Sequence, residues 1–179
     1  RCAVMFASKC GIIGVETNFL AIDGVHTAHI VNEEVDLEMS NVSEIIIKGS
    51  DYVVDTGSPH YIRVVEECVD IVELGRSIRY SEDYKAEGIN VNTLLFDKDQ
   101  IEVETYERGV EDETLSCGTG VTACALVAMN RKGLVKGEIQ IRTKGGMLKV
   151  SSETDGEGGF KNIWLKGPVK LVYRGSIDM

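Results

Sequence analysis

Long apolar runs, proline and tryptophan are scarce in this sequence of 179 residues. It holds two prolines and one tryptophan, which excludes Pro-rich linkers and collagen-like structure. Apolar runs such as Ile45-Ile46-Ile47 are short, and none approaches the ~20 residues that a membrane-spanning helix needs. Glycine is frequent, with 19 residues, so we expect one ordinary domain or two small lobes with many tight turns.

Positive charge is also in short supply. Nineteen Lys and Arg face 29 Asp and Glu, and the formal net charge is -10 at pH 7. A protein this acidic is a poor ligand for phosphate backbones and for anionic lipid. We therefore expect no nucleic-acid partner and no membrane partner.

The cysteines lack the spacing of a disulfide framework or a zinc site. Five occur, at positions 2, 10, 68, 117 and 124. Their number is odd, no Cys-x-x-Cys pair is present, and no His lies nearby at ligand spacing. This pattern favours a reducing, cytoplasmic setting and no bound metal. All except Cys117 lie in apolar patterns, and we expect these four to be inert core residues.

The hydrophobic pattern predicts few helices and many short strands. Helical spacing covers residues 1–9 and 119–131, and weaker helical spacing covers 70–79. The predicted strands cover 19–22, 25–31, 35–39, 44–48, 52–55, 61–65, 90–96, 101–106, 138–143, 147–152, 160–166 and 169–174. Asp23-Gly24 between the first two strands is a strong hairpin signal.

One unit of the chain occurs twice, 122 residues apart. The match pairs Cys2 with Cys124, Gly11 with Gly133 and Gly24 with Gly146. Because both pairs of glycines fall at expected turns, we interpret the match as a duplicated helix–loop–strand–turn–strand unit. About 80 residues of predicted strands precede Cys124, whereas one residue precedes the matching Cys2. We therefore expect that the chain lacks the N-terminal part of its first lobe.

The segment Ser116-Cys117-Gly118-Thr119-Gly120 is the sharpest candidate site. Cys117 is expected directly before a helix, where backbone N–H groups and the positive end of the helix dipole lower a thiol pKa. The same N–H groups can hold a substrate carboxylate. A buried structural cysteine in a Gly-rich turn is the alternative interpretation.

Four other residues carry weaker signals. Arg108, within Glu107-Arg108-Gly109 at a strand end, can grip a carboxylate with its planar fork, while Glu107 can orient an ammonium group or tune a base. A solvated surface pair explains the two equally well. His60 is typical of a structural hydrogen-bonding residue, and Asn90 of a turn residue, unless other residues place them at a site.

Together these motifs resemble the diaminopimelate epimerase family. The resemblance rests on Glu107-Arg108-Gly109 and Ser116–Gly120, with Gly57-Ser58-Pro59-His60 and Asn90-Val91-Asn92 upstream, and it runs through nearly the whole chain. It implies an α+β fold of two pseudo-symmetric lobes, each a mainly antiparallel sheet around a central helix. Residues 41–167 are then the complete C-terminal lobe, and residues 1–40 plus 168–179 are the remnant of an incomplete N-terminal lobe.

The resemblance also implies a reaction. Two cysteine thiols on opposite faces of the α-carbon convert LL-diaminopimelate to the meso form, without pyridoxal phosphate, metal or other cofactor. It implies catalytic roles for Cys117, Glu107 and His60, and substrate contacts from Asn90, Glu107, Arg108, Gly118 and Thr119. Arg108 is then expected on the distal carboxylate of the substrate, and a homodimer is left open.

The sequence departs from the family pattern at three places. Ser58 replaces a common Asn, and the loop of residues 110–116 is one residue longer than usual. Arg1-Cys2 resembles the tail of the family's first cysteine motif. We therefore expect the first catalytic cysteine to lie upstream of Arg1, and the chain to be inactive by itself.

Other functions remain open from the sequence. A related racemase for another amino acid, such as proline, shares the Cys-Gly-x-Gly element. A non-catalytic lobe that captures a small carboxylate at the Cys117 helix is the alternative outside enzymes. A Cys–His hydrolase built on Cys117 and His60 is weaker, and it predicts an acyl-enzyme.

Overall fold

The computed structural model describes residues 1–21, 24–173 and 175–176. That part contains helices α1 (Cys2–Lys9), α2 (Ile71–Arg79) and α3 (Gly118–Lys132). Its strands are β1 (Glu16–Ala21), β2 (Gly24–Val31), β3 (Glu34–Met39), β4 (Ile46–Lys48), β5 (Asp51–Asp55), β6 (Pro59–Val65), β7 (Asn90–Asp97), β8 (Gln100–Glu107), β9 (Asp112–Thr114), β10 (Lys136–Thr143), β11 (Gly146–Thr154) and β12 (Phe160–Pro168). No helix in those ranges is both long enough and apolar enough to cross a membrane.

Most predicted elements form, with two differences. The strand predicted over 169–174 was wrong for residues 169–173, which adopt no strand, and residue 174 lies outside the described residues. The short strand β9 was not predicted. Of the predicted Asp23-Gly24 turn, Asp23 lies outside the described residues.

One hydrogen-bonded sheet runs through the described chain. Its strand order is β1-β2-β3-β12-β11-β10-β8-β7-β6-β5-β4, and β9 pairs with β8. Neighbouring strands are antiparallel except for two parallel pairs, β6 with β7 and β8 with β10. A mainly antiparallel sheet with few helices is the α+β class, and the prediction of that class is confirmed.

The duplicated unit has the same geometry in both copies. Helices α1 and α3 both end before a left-handed glycine, Gly11 with φ +70 and Gly133 with φ +64. The hairpins β1–β2 and β10–β11 turn at Gly24 with φ +131 and Gly146 with φ +130, which L side chains rarely adopt. The two hairpins also share one register, since Ala21 pairs with Gly24 as Thr143 pairs with Gly146.

Six strands of the sheet, from β1 to β10 in the spatial order, are arranged symmetrically about the β3–β12 pair. Strands β1, β2 and β3 run up to the antiparallel β3–β12 pair, and β12, β11 and β10 lead away from it. Leu37 pairs with Leu165 between these two strands. Hydrogen bonding is therefore continuous between the two lobes expected from the sequence, and the division at residues 40/41 and 167/168 stays a prediction.

Helix α3 forms the centre of the main core. Every residue from Gly120 to Met129 is buried, and the helix packs against β5, β6, β7, β8, β10, β11 and β12. Helix α1, by contrast, buries only Val4 and Met5. Cys124 is buried as expected.

The expectation of core positions was wrong for three cysteines. Cys2, Cys10 and Cys68 are exposed. Apolar neighbours in the sequence did not place these thiols inside, because burial depends on which elements pack over them.

Helix α2 packs on the sheet beside a buried tyrosine. Asp70 caps its N-terminus, and the carboxylate accepts the N–H groups of Val72 and Glu73 at 2.9 and 3.0 Å. Gly75 faces Tyr106, which is fully buried, and a Cβ added at Gly75 would lie 2.3 Å from the ring. This glycine therefore lets α2 approach β8 closely.

We expect Gly75→Ala to destabilise the fold by about 1–3 kcal/mol, because the added methyl group overpacks against the Tyr106 ring. The free energy of unfolding from urea titration measures the effect. Gly14→Ala is the matched control, since no atom lies within 4 Å of the Cβ added there. Equal stability of the two variants would contradict this packing.

Candidate active site

The first turn of α3 holds the thiol that the sequence singles out. Cys117 is the N-cap residue in an extended conformation, with no side-chain cap and no acidic residue in the first turn. Its Sγ lies 3.4 Å from Oγ1 of Thr119. Because the first N–H groups of a helix have no intrahelical partner, this uncapped end can bind an anion.

Burial raises the pKa of the Cys117 thiol above its ordinary value of 9.0. The backbone N–H groups of Gly120 and Thr119 act in the opposite direction, and the nearby Glu107 charge adds to the rise. The predicted lowering of this pKa was therefore wrong in direction. The helix end is present, but removal of the sulfur from water outweighs it, and Cys117 carries its proton at neutral pH.

His60 lies on β6, fully buried against the first turn of α3. Its Nδ1 is 2.8 Å from Oδ1 of Asn92, and its Nε2 is 2.9 Å from Oγ1 of Thr119. Burial lowers the pKa of His60 from 6.5 to about 4. The imidazole is therefore neutral at pH 7, and it is joined to Cys117 only through Thr119.

A glycine allows this contact between helix and sheet. A Cβ added at Gly120 would lie 2.7 Å from Nδ2 of Asn92 and 3.1 Å from Cε1 of His60. The parallel register of β6 and β7 sets His60 beside Asn90, so Asn92 is two residues further along the neighbouring strand. The close approach of α3 to β6 and β7 therefore depends on residue 120 being a glycine.

Asn90 joins two loops at the site. Its Nδ2 donates to Oγ of Ser58 at 2.8 Å and to the Pro59 carbonyl at 3.0 Å. Its Oδ1 accepts a hydrogen bond from the backbone N–H of Arg108 at 2.9 Å. Asn90 is buried, with 4% of its surface exposed. Its amide thus binds within the protein, and the predicted contact between Asn90 and substrate stays a prediction.

Glu107 and Arg108 lie where β8 ends, near the same helix terminus. The Arg108 side chain is exposed, and its Nη1 donates to the carbonyls of Glu87 at 3.0 Å and Gly88 at 3.4 Å. These two carbonyls fix the direction of the guanidinium. Glu107 is half-buried, and its charge acts on the Cys117 thiol.

Glu111 holds the turn that presents Arg108, a role that sequence reasoning missed. Its carboxylate accepts the Gly109 N–H at 3.2 Å and the hydroxyls of Tyr80 and Tyr106 at 3.1 and 2.9 Å. Glu111 has φ +60, an uncommon conformation for a residue with a side chain. This residue lies in the loop of residues 110–116, which the family resemblance implies to be longer than usual.

The structure thus brings together Cys117, Thr119, Gly118, His60, Asn90, Glu107 and Arg108. Sequence reasoning missed Asn92 and the hydroxyl role of Thr119. Asn92 belongs to the Asn90-Val91-Asn92 motif, but nothing in the sequence indicated that it contacts His60. Across the described ranges, no three His, Cys, Asp or Glu side chains are grouped to hold a metal ion.

The low pKa of His60 predicts a loss of stability in mild acid. Below pH 6.5 the unfolded chain binds a proton at His60, whereas the folded chain does so only near pH 4. His60 therefore contributes stability that is complete above pH 6.5 and is lost as the pH falls toward 4, by about 3 kcal/mol. Urea unfolding between pH 7 and 4 measures this slope.

His60→Gln is the control for that pH dependence, because the amide keeps hydrogen-bonding atoms but does not titrate. Carboxylates elsewhere also titrate in acid, so the difference between the two slopes isolates His60. Equal slopes for the two proteins would show that His60 is not held neutral by burial.

Solved structures share this fold at low sequence identity. A probable proline racemase from Agrobacterium radiobacter K84 matches with a TM-score of 0.66 and 16% identity, over 93% of this chain and 63% of that protein. A hydroxyproline epimerase from Agrobacterium vitis matches with a TM-score of 0.68 and 19% identity, over 93% and 62%. The chain thus spans less than two thirds of these proteins, and the likeness concerns the fold alone.

Curated relatives are closer in sequence. The diaminopimelate epimerase of Flavobacterium psychrophilum is 43% identical over 182 residues, which cover 99% of this chain and 70% of the relative. That of Aquifex aeolicus is 37% identical over 193 residues, covering 99% and 67%. The family model of diaminopimelate epimerase matches residues 52–172. This chain therefore belongs to the diaminopimelate epimerase family of isomerases.

Proposed function

We propose that this chain carries one acid/base half of a cofactor-independent epimerisation of LL-diaminopimelate to the meso form. The observation that carries the proposal is the Cys117 thiol at the uncapped N-terminus of α3. That position combines a proton-transfer group with backbone N–H groups that can bind an α-carboxylate. The names of the relatives supply the substrate.

The raised pKa of the Cys117 thiol suits this group to donate a proton in the direction from LL to meso. Because Cys117 keeps its proton at neutral pH, it serves as the donor to the α-carbon. A second base removes the α-proton from the opposite face, and the Cys117 S–H bond then breaks as the new C–H bond forms. Cys117 is left as a thiolate, the stereocentre is inverted, and no electrons are gained or lost.

The N–H groups of Gly118 and Thr119 support the developing carbanion. They face the α-carboxylate, where negative charge grows as the α-proton leaves. Glu107, close to the sulfur, is suited to hold the α-ammonium group. A partly dehydrated site strengthens both contacts, since Cys117 and Glu107 are each shielded from water in part.

The second thiol is not evident among the described residues at this site. Cys124 interacts with Cys117 but is completely buried, and no contact of the exposed Cys2, Cys10 or Cys68 with Cys117 is found among the described residues. We propose that the opposing base comes from outside this polypeptide.

The 179-residue chain is therefore expected to form no meso product from LL-diaminopimelate, because one of the two bases is missing. Chiral chromatography of the reaction mixture measures the product. A Cys117→Ser chain, purified in the same way, shows how much conversion comes from contaminating enzyme. Conversion above that background would contradict the proposal that the second base comes from outside this polypeptide.

Arg108 is suited to the distal carboxylate of the substrate. Its guanidinium is exposed and directed by the carbonyls of Glu87 and Gly88. A planar fork binds a carboxylate through two parallel hydrogen bonds. A diacid is therefore favoured over amino acids that carry no second carboxylate, such as proline or lysine.

We expect diaminopimelate to protect Cys117 from alkylation by iodoacetamide, as followed by peptide mass spectrometry. Arg108→Leu should weaken that protection about 10- to 100-fold, the size of a lost charged hydrogen bond. Arg142→Leu is the matched control, since Arg142 pairs with Glu102 instead. Alkylation of exposed Cys2, Cys10 and Cys68 reports any general effect on the reagent.

Other ligands separate the alternatives in the same assay. Equal protection by proline would favour a racemase for that amino acid. A pure binding lobe would bind diaminopimelate but give no inversion even when the missing base is supplied. The Cys–His hydrolase finds no support in the geometry, because Thr119 lies between His60 and the sulfur.

A further inference from the structure

Five side chains form a continuous hydrogen-bonded chain that begins at the Cys117 sulfur. The sulfur is 3.4 Å from Oγ1 of Thr119, which is 2.9 Å from Nε2 of His60. Nδ1 of His60 is 2.8 Å from Oδ1 of Asn92, whose Nδ2 is 2.6 Å from Oγ1 of Thr105. His60, Asn92 and Thr105 are all buried, so no bulk water completes these bonds.

The Asn92 end of this hydrogen-bond network determines which atoms donate and which accept along it. Nδ2 of Asn92 also lies 3.5 Å from the Glu104 carbonyl, which can only accept a hydrogen bond. The NH₂ group of Asn92 therefore faces Glu104 and Thr105, and its Oδ1 faces His60. Since Oδ1 can only accept, Nδ1 of the neutral imidazole carries the proton.

The proton on Nδ1 of His60 then determines the donors and acceptors as far as the thiol. With its proton on Nδ1, the imidazole offers a lone pair at Nε2, and Thr119 donates its hydroxyl proton there. The Thr119 oxygen is left as an acceptor toward Cys117, which suits S–H rather than a thiolate. A thiolate would need the same hydroxyl proton, and taking it would leave Nε2 of His60 buried without a partner.

We infer that Asn92 and Thr119 are positioning residues that set the proton state of Cys117. Asn92 fixes which nitrogen of His60 bears the proton, and the Thr119 hydroxyl transmits that choice to the sulfur. The inference rests on the proposed role of Cys117 as an acid/base thiol. It gives Thr119 a side-chain function beside the backbone contact expected from the family resemblance.

Charged groups around the hydrogen-bond network also act on His60 and Cys117 through space. Asp55 at the end of β5 and Arg108 after β8 act on His60 with opposite signs. Glu107 at the end of β8 acts on Cys117, and Cys117 in turn acts on the buried Cys124 within α3. A test must therefore separate transmission through the Thr119 hydroxyl from these direct charge effects.

The His60 tautomer in the unmodified chain gives the first test. Long-range ¹H–¹⁵N spectra distinguish the protonated from the bare ring nitrogen. We expect the proton on Nδ1 at neutral pH, and a proton on Nε2 would overturn the inference. This measurement needs no variant and no substrate.

A set of variants gives the second test. Asn92→Asp places a carboxylate on Nδ1, which favours the imidazolium form of His60 and puts a proton on Nε2 as well. Nε2–H then donates to Thr119, and the freed hydroxyl proton turns to the sulfur. We expect iodoacetamide to alkylate Cys117 at least about tenfold faster at neutral pH, the equivalent of one pKa unit.

The added carboxylate by itself would have the opposite effect, because a nearby negative charge raises a thiol pKa. In the Asn92→Asp background, Thr119→Val should abolish the acceleration, while Thr119→Ser should keep it. No acceleration in Asn92→Asp, or equal acceleration with Val, would overturn the inference. If Asn92→Asp does not fold, the tautomer measurement decides. None of these readouts uses diaminopimelate, so failure of the proposed reaction and failure of this network are distinguishable.

Discussion

The site depends on one packing constraint, the burial of the first turn of α3 against β6 and β7. Gly120 has no side chain to separate the helix from His60 and Asn92. At this depth, polar groups must find partners within the protein, since an unpaired buried group costs about 1–3 kcal/mol. The hydrogen bonds from Cys117 to Thr105 follow from that requirement, and so do the neutral state of His60 and the protonated state of Cys117.

Local sequence patterns predicted the parts of the fold that depend on neighbouring residues. The helix that begins directly after Cys117, the glycines that end the helices and turn the hairpins, and most of the strands were predicted correctly. Residues 169–173 show where this reasoning fails. Alternating apolar residues indicate which way side chains face, but a strand also needs a partner edge, and both edges of β12 are already paired with β11 and β3.

The chemistry of the site was harder to predict because it depends on contacts between distant segments. Residues 60, 92 and 119 meet only when β6 and β7 pair in parallel and α3 packs over them. The pKa direction of Cys117 has the same origin. A helix terminus can be identified from sequence, whereas the loss of water around a sulfur depends on everything packed above it.

The duplicated unit separates these two influences within one molecule. Its copies share turn glycines, backbone angles and hairpin register, yet equivalent positions differ in environment. Cys124 is fully buried, and burial raises its pKa well above the ordinary value, whereas the equivalent Cys2 is exposed. The local sequence therefore sets the path of the backbone, and the packed neighbours set the reactivity of a thiol. By the same reasoning, the acid/base role that we propose for Cys117 depends on the His60–Asn92 face that α3 covers as much as on the helix terminus itself.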